Sequence, residues 1–256
     1  MKNTPSDDLR MRARSRLIFA LDVGGGMDEA LSWVARLKEH VGLFKVGKES
    51  FTLCGPEIVR QIVRQGSGVF LDLKFHDIPN TVARAAEGAL QIGASMFNVH
   101  ALGGRKMMEE TVVSVRRKAA AMGSDMPVVL AVTILTSLSD DDLRAFGFAG
   151  STRDAVLTLS KMAQDAGVTG VVASAQDVEA IREVCGQQFV IVTPGIRGAL
   201  QIRGDDQKRT LSPGEAIRRG ADYLVVGRPI RTADNPVVAA EEILTDISQG
   251  LWSQEH

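Results

Sequence analysis

The chain has 256 residues, 45% of them hydrophobic and 24% charged, with 30 Lys and Arg against 31 Asp and Glu for a net charge of −1. That composition is ordinary for a globular protein with a large core and excludes a disordered, collagen-like or coiled-coil chain. The balanced charge gives no overall reason to expect nucleic acid or a membrane surface as partner, and no stretch approaches the ~20 apolar residues of a membrane span.

Residues 1–15 are polar and read as a flexible N-terminal tail, with a domain over 16–256. The apolar run Leu17–Val23 contains Asp22 and is too short for a signal-peptide core. It predicts the first of eight β-strands. The others are predicted at Leu43–Gly47, Val69–Leu73, Ser95–Val99, Val128–Thr133, Gly170–Ala173, Phe189–Thr193 and Tyr223–Val226. Each is apolar on both faces, as a buried parallel strand requires. Helical periodicity falls between them, at Asp28–Glu39, Pro56–Gln65, Pro79–Ile92, Arg105–Met122, Thr152–Ala166, Gln176–Val184 and Pro213–Arg219, with a closing helix at Pro236–Ile247. Pro56, Pro79 and Pro213 mark first turns, and Gly66, Gly93, Gly123, Gly167 and Gly220 mark ends.

Eight strands alternating with about eight helices imply a parallel sheet with crossover connections. An open doubly wound sheet uses the same alternation. The count of eight, the length and the lack of a linker favour a single-domain (β/α)8 TIM barrel. Its two longest loops, Ile134–Ser151 and Pro194–Leu211, follow strands five and seven, on the side where such barrels keep their active sites. Cys54 and Cys185 fit no metal spacing and read as free thiols of a reducing cytoplasm.

Several motif matches carry no function. Gly42-Leu43-Phe44-Lys45-Val46-Gly47-Lys48 fills seven positions of a phosphate-binding P-loop, but Glu49 replaces the Ser/Thr and the intervening residues read as a strand. Gly24-Gly25-Gly26 follows a strand, yet Glu29 stands where a dinucleotide fingerprint needs its third glycine. No H-E-x-x-H or G-x-S-x-G motif occurs.

The informative segment is Phe70-Leu71-Asp72-Leu73-Lys74-Phe75-His76-Asp77-Ile78-Pro79-Asn80-Thr81. Side chains alternate along a strand, so Asp72 and Lys74 share one face and Leu71 and Leu73 the other. The same parity turns Ala20 and Asp22 inward on the first strand and Lys45 inward on the second. Asp22, Lys45, Asp72 and Lys74 are therefore expected to converge at the ends of three successive strands, with Asp77 in the following loop. Asn98 and His100 stand at the matching end of the fourth. A structural salt-bridge cluster is the bland alternative, but apolar side chains would stabilise a barrel as well or better. Asp72, His76 and Asp77 could also suggest a metal, which the interleaved lysines would repel. An alternating Lys-Asp-Lys-Asp array suits decarboxylation: a carboxylate stresses a substrate carboxylate, and ammonium groups stabilise and protonate the carbanion.

Gly227-Arg228-Pro229 follows the last strand and Thr193-Pro194-Gly195-Ile196-Arg197 the seventh. Loops at these two positions often bind phosphate in barrels. Backbone N–H groups at Gly195 and Gly227, with the Arg228 fork, suit a phosphate dianion.

With these residues in view, Phe70–Thr81 resembles the signature of the orotidine 5′-phosphate decarboxylase family. The resemblance extends through Leu21-Asp22, Lys45-Val46-Gly47, Asn98-Val99-His100, Thr136-Ser137, the Thr193–Arg197 run and Val226-Gly227-Arg228-Pro229, covering nearly the whole chain after residue 16. The Asp72-x-Lys74-x-x-Asp77 core is shared with related decarboxylase and aldolase-like barrels. The continuation through Thr81 and the Gly-Arg-Pro site make the resemblance specific.

The resemblance implies a cofactor-free and metal-free decarboxylation of orotidine 5′-phosphate to uridine 5′-phosphate, a late step of pyrimidine synthesis. In that reading Lys45, Asp72, Lys74 and Asp77 form the catalytic array. Lys74 is the proton donor to pyrimidine C6, and Asp72 lies near the scissile carboxylate. Asp22 and Lys45 bind ribose hydroxyls, Ser137 contacts the pyrimidine, and Pro194 lines the pocket. Gln207 and Arg228 bind phosphate, with Gly227 and Arg197 counted among the substrate contacts. Asp77 and Thr81 reach into the partner's site of a homodimer. The alternatives are a magnesium-dependent sugar-phosphate decarboxylase or hexulose-phosphate synthase of the same barrel group, and a barrel that only binds a phosphorylated nucleotide.

Overall fold

The computed structural model describes residues 7–196 and 211–255. Eight strands are present: β1 (Leu17–Ala20), β2 (Leu43–Gly47), β3 (Gly68–Phe75), β4 (Met96–His100), β5 (Val128–Val132), β6 (Gly170–Val172), β7 (Val190–Pro194) and β8 (Tyr223–Val226). They hydrogen-bond in chain order into a closed barrel. β1 pairs in parallel with both β2 and β8, and β4 through β7 pair in parallel in succession. All eight lie at the predicted places, and helices alternate with them. Among the described residues no helix is long and apolar enough to cross a membrane.

The chain groups into two compact units, Met1–Phe70 with Thr193–His256, and Leu71–Val192. In the first unit the register sets Phe19 beside Phe44 and Ala20 beside Lys45. Phe19 meets Phe44 edge-on at 6.3 Å between centroids and stacks on Trp33 of the helix Gly26–Leu37 at 5.5 Å. The aromatic side of these strands is therefore the helix-facing side, as parity predicts, and the alternate positions Ala20 and Lys45 turn the other way.

The expectation of a polar tail needs correction at residues 7–15. Asp7–Arg16 is an α-helix, with Asp7 and Asp8 in its first turn and Arg14 and Arg16 in its last. These charges oppose the helix dipole at each end, which favours the helix. Ala13 is its one fully buried residue, so almost no apolar stripe marks it in sequence. Polar anchors hold it instead. Arg10 bonds Glu241 at 2.5 Å, Arg14 donates to the Lys38 carbonyl at 2.6 Å, and His40 Nδ1 meets the same Glu241 carboxylate at 2.5 Å. Glu241 sits below the usual carboxylate range: burial opposes this, but the Arg10 and His40 hydrogen bonds and the Arg10 charge outweigh it.

The last helix runs Pro236–Glu255, past the predicted stop at Ile247. Gly250 lies inside it, where glycine ordinarily costs about 1 kcal/mol. A Cβ there would fall 2.5 Å from the Gly214 carbonyl oxygen, so the backbones pass too closely for any other residue.

In the second unit the helices Pro79–Gln91 and Arg105–Met122 pack together. Glu87 is buried between them. Ser114 Oγ donates to its Oε1, Arg84 lies at 3.2 Å and Arg117 at 3.7 Å. The Ser114 hydrogen bond, ahead of the two arginine charges, holds this carboxyl low against its burial. Buried Arg182 donates to the carbonyls of Gly186, Gln187 and Phe189, closing the turn between the helix Val178–Cys185 and β7. Cys54 and Cys185 are free thiols. Burial pushes the Cys185 thiol up, which makes it a poor nucleophile.

The loop predicted over Ile134–Ser151 contains a short helix, Asp140–Ala145, capped by Ser139 and Asp142 in a reciprocal box. Ser151 and Asp154 repeat the device at the helix Thr152–Asp165. Two further short helices follow strand ends, Lys48–Cys54 directly after β2 and Arg228–Arg231 one residue after β8.

Candidate active site

In the first unit, β1 ends at Ala20, and the Leu21 N–H still donates to the Lys45 carbonyl at 3.0 Å. This carries the pairing one residue further and delivers Asp22 beside Lys45. Lys45 Nζ lies 3.2 Å from both oxygens of the Asp22 carboxylate. The lysine side chain is 12% exposed and the aspartate 41%, so the carboxylate faces solvent while the ammonium sits deeper. Gly47 makes the space. A Cβ there would come within 2.8 Å of Asp22 Oδ1 and 3.0 Å of Lys45 Nζ. The Asp22 carbonyl is held by Arg231 Nη1 at 2.6 Å.

The predicted phosphate-side contacts also belong to this unit. Gly227 follows β8, and a Cβ on it would lie 3.2 Å from the Ala20 Cβ. Exposed Arg228 opens the helix Arg228–Arg231, with Pro229 in its first turn. Half-buried Pro194 is the last residue of β7, and Gly195 follows at φ +76°. Arg197 and Gln207 lie outside the described residues.

In the second unit, β3 carries Asp72 and Lys74 on one face, and Lys74 Nζ lies 2.6 Å from Asp72 Oδ1. The aspartate side chain is only 13% exposed. Asn98 of β4, fully buried, joins both residues. Its Nδ2 donates to Asp72 Oδ1 at 2.7 Å, and its Oδ1 accepts the Lys74 backbone N–H at 2.8 Å. Lys74 has φ +53°, and no other non-glycine residue among those described has a positive φ. A left-handed backbone costs a side-chain-bearing residue about 1–2 kcal/mol. Such strain recurs at functional positions.

Beyond β3, Asp77 is exposed, and its Oδ1 accepts the N–H of Ile78 at 2.7 Å. Thr81 is exposed in the first turn of the helix Pro79–Gln91. Ser137 is exposed in the turn after β5, where the Leu138 N–H bonds the Leu135 carbonyl. His100 stacks on His76, with ring centroids 5.1 Å apart.

Sequence parity thus brings Asp22 to Lys45 and Asp72 to Lys74. It leaves unmarked the supporting parts: Gly47 as a spacer, Arg231 on the Asp22 carbonyl, and the inverted backbone of Lys74. Only Gly47 had a signal, as the small residue two positions after an inward lysine. The chemistry available is plain. In each pair an ammonium lies against a carboxylate, so an anion can be bound, or a proton delivered, beside a fixed negative charge.

A model of the Orotidine 5′-phosphate decarboxylase / HUMPS family matches residues 15–243. The orotidine 5′-phosphate decarboxylase of Syntrophus aciditrophicus is 64% identical over 236 residues, covering 92% of this chain and 94% of its own. That of Syntrophotalea carbinolica is 51% identical over 241 residues, covering 94% and 98%. The crystal structure of orotidine 5′-phosphate decarboxylase from Lactobacillus acidophilus superimposes with a TM-score of 0.80 at 37% identity, over 90% of this chain and 97% of that one.

Proposed function

Because the chain belongs to the Orotidine 5′-phosphate decarboxylase / HUMPS family and is a carboxy-lyase, we propose that it decarboxylates orotidine 5′-phosphate to uridine 5′-phosphate. The observation that carries this reading is the Asp72–Lys74 contact of 2.6 Å, made by a lysine whose backbone is left-handed.

In the proposed reaction the bond between pyrimidine C6 and the carboxylate carbon breaks. Carbon dioxide leaves, and the electron pair remains on C6. Lys74 Nζ delivers its proton to that carbon and is recharged from solvent. Asp72 stands beside the departing carboxylate, so their repulsion is present in the ground state and relieved as the charge moves away. The Lys74 ammonium is attracted to the developing carbanion, an interaction worth more in the transition state than before it.

Asp22 and Lys45 are proposed to take the ribose hydroxyls, Ser137 the pyrimidine edge, and Gly227 and Arg228 the phosphate. Pro194 lines the pocket, and Arg197 and Gln207 complete the phosphate loop. Phosphate contacts far from C6 supply binding energy that can be spent at the reacting carbon. Asp77 and Thr81, both exposed on the segment after β3, are proposed to enter the site of a second subunit in a homodimer. As a step of pyrimidine nucleotide synthesis, the reaction is expected in the cytoplasm.

The test is the loss of orotate-ring absorbance when the purified protein meets orotidine 5′-phosphate, with and without excess chelator. Equal turnover in both arms is expected. Turnover that needs added magnesium, or none at all, contradicts the proposal.

A further inference from the structure

We infer that Asn98 is a positioning residue of the decarboxylation, holding Lys74 in its left-handed conformation and fixing which oxygen of Asp72 the lysine meets. The inference rests on the function proposed above. Both groups of the Asn98 amide are used. The oxygen takes the Lys74 N–H at 2.8 Å, and the nitrogen donates at 2.7 Å to Asp72 Oδ1, the same oxygen that accepts Lys74 Nζ. The two partners determine the orientation of the amide, since a flipped amide would set donor against donor and oxygen against carboxylate.

A strand residue ordinarily gives its N–H to the neighbouring strand's backbone. At Lys74 the chain has turned to φ +53°, and the N–H goes to a buried side chain instead. Without that acceptor, a part-buried donor would lose its partner on top of the backbone strain, and the residue would gain by relaxing to negative φ. Relaxation would swing the Lys74 side chain away from Asp72. Asn98 bonds the Asp72 carboxylate and the Lys74 backbone N–H, and in the proposed reaction it does not reach C6. It acts through these two residues.

The amide is also chemically particular. A carboxylate has the same shape and can accept the Lys74 N–H, but it cannot donate to Asp72. It would place a second negative charge against the first, and such a pair keeps one proton to a pH well above that of a lone carboxyl. Once it holds that proton, the acid reproduces the asparagine: its carbonyl accepts, its O–H donates, and the pair carries the single negative charge that Asp72 carries now.

Two variants test this. Asn98→Ala should lower kcat by about 10²-fold, the usual cost of misplacing a reacting group by an ångström, with KM little changed. Its crystal structure should show Lys74 at negative φ, with the contact to Asp72 opened. Asn98→Asp should be nearly inactive at high pH and recover kcat as pH falls and the carboxyl pair takes up its proton, while the parent shows no such rise. A merely structural asparagine would give no acid rescue. The inference is overturned if Asn98→Ala keeps kcat within about twofold, if Lys74 keeps its left-handed backbone in that variant, or if Asn98→Asp follows the parent's pH profile. Should Asn98→Ala not fold, the Asn98→Asp profile decides. A parent protein without turnover overturns the proposed function instead, and the Lys74 backbone in Asn98→Ala or Asn98→Asp crystals then decides the inference alone.

Discussion

The two lysine–aspartate pairs are alike in composition and different in construction. Asp22 and Lys45 come from regular backbone. The parallel register sets Ala20 against Lys45, one more ladder bond brings Asp22 alongside, and a glycine leaves room. The contact is even, 3.2 Å to each oxygen, and the carboxylate is open to solvent. Asp72 and Lys74 lie two apart on one strand and closer, at 2.6 Å, with the carboxylate rather than the ammonium as the deeper member, and they are held by an inverted backbone and a clamping amide. Register alone suffices to build the pair that is proposed to take the ribose hydroxyls. In the proposed reaction, aiming the Lys74 ammonium at one carbon takes a local departure from the strand, and the fold supports that departure with buried Asn98.

The comparison breaks if the pair on β3 can be removed cheaply. Asp72→Ala should lower kcat by about 10²–10³-fold, in line with removing one preorganised electrostatic group. Steady-state rates with orotidine 5′-phosphate read this directly. Asp77 is proposed to belong to the catalytic array and to work across subunits. Mixing Lys74→Ala with Asp77→Ala protein should therefore restore activity, one intact site per mixed dimer. Proven subunit exchange with no recovery would contradict that arrangement.

The other pair should respond in binding. Gly47→Ala puts a Cβ against Asp22 Oδ1 and Lys45 Nζ. It should raise KM by about tenfold, the equivalent of ~1.4 kcal/mol, with a smaller change in kcat; a larger effect on kcat would erase the distinction between the pairs. Ser114→Ala acts where the helices Pro79–Gln91 and Arg105–Met122 pack and should leave kcat and KM alone. It removes the donor that holds the Glu87 carboxyl low. Stability should fall by about 1–3 kcal/mol at neutral pH, measured by denaturant unfolding. A depressed carboxyl stabilises the fold above its unfolded pKa, and that stability is lost as pH falls through the folded value. The variant should therefore lose less than the parent on acidification.

Much of this was legible in the chain. Apolar runs with proline and glycine punctuation locate all eight strands, because buried parallel strands need apolar residues on both faces. Period two then pairs Asp72 with Lys74. What stayed hidden depends on contacts remote in sequence or on backbone that no residue type announces. The helix Asp7–Arg16 is held by Glu241, whose partners Arg10 and His40 lie 231 and 201 positions away. Lys74 is not a glycine, so nothing in Leu73-Lys74-Phe75 marks a positive φ. Asn98 was visible as a residue at the matching end of β4, but its double role follows only from where the Lys74 N–H points. The box Ser139-x-x-Asp142 was a readable helix start inside a segment that length alone presented as loop.

The claim at the centre is that Lys74 supplies the proton while Asp22 and Lys45 bind. Saturation kinetics of Lys74→Ala, with uridine 5′-phosphate binding measured on the same sample, test it most directly. The account predicts a kcat lowered at least about 10²-fold with nucleotide binding retained. A Lys74→Ala protein that turns over orotidine 5′-phosphate at close to the parental kcat would contradict it.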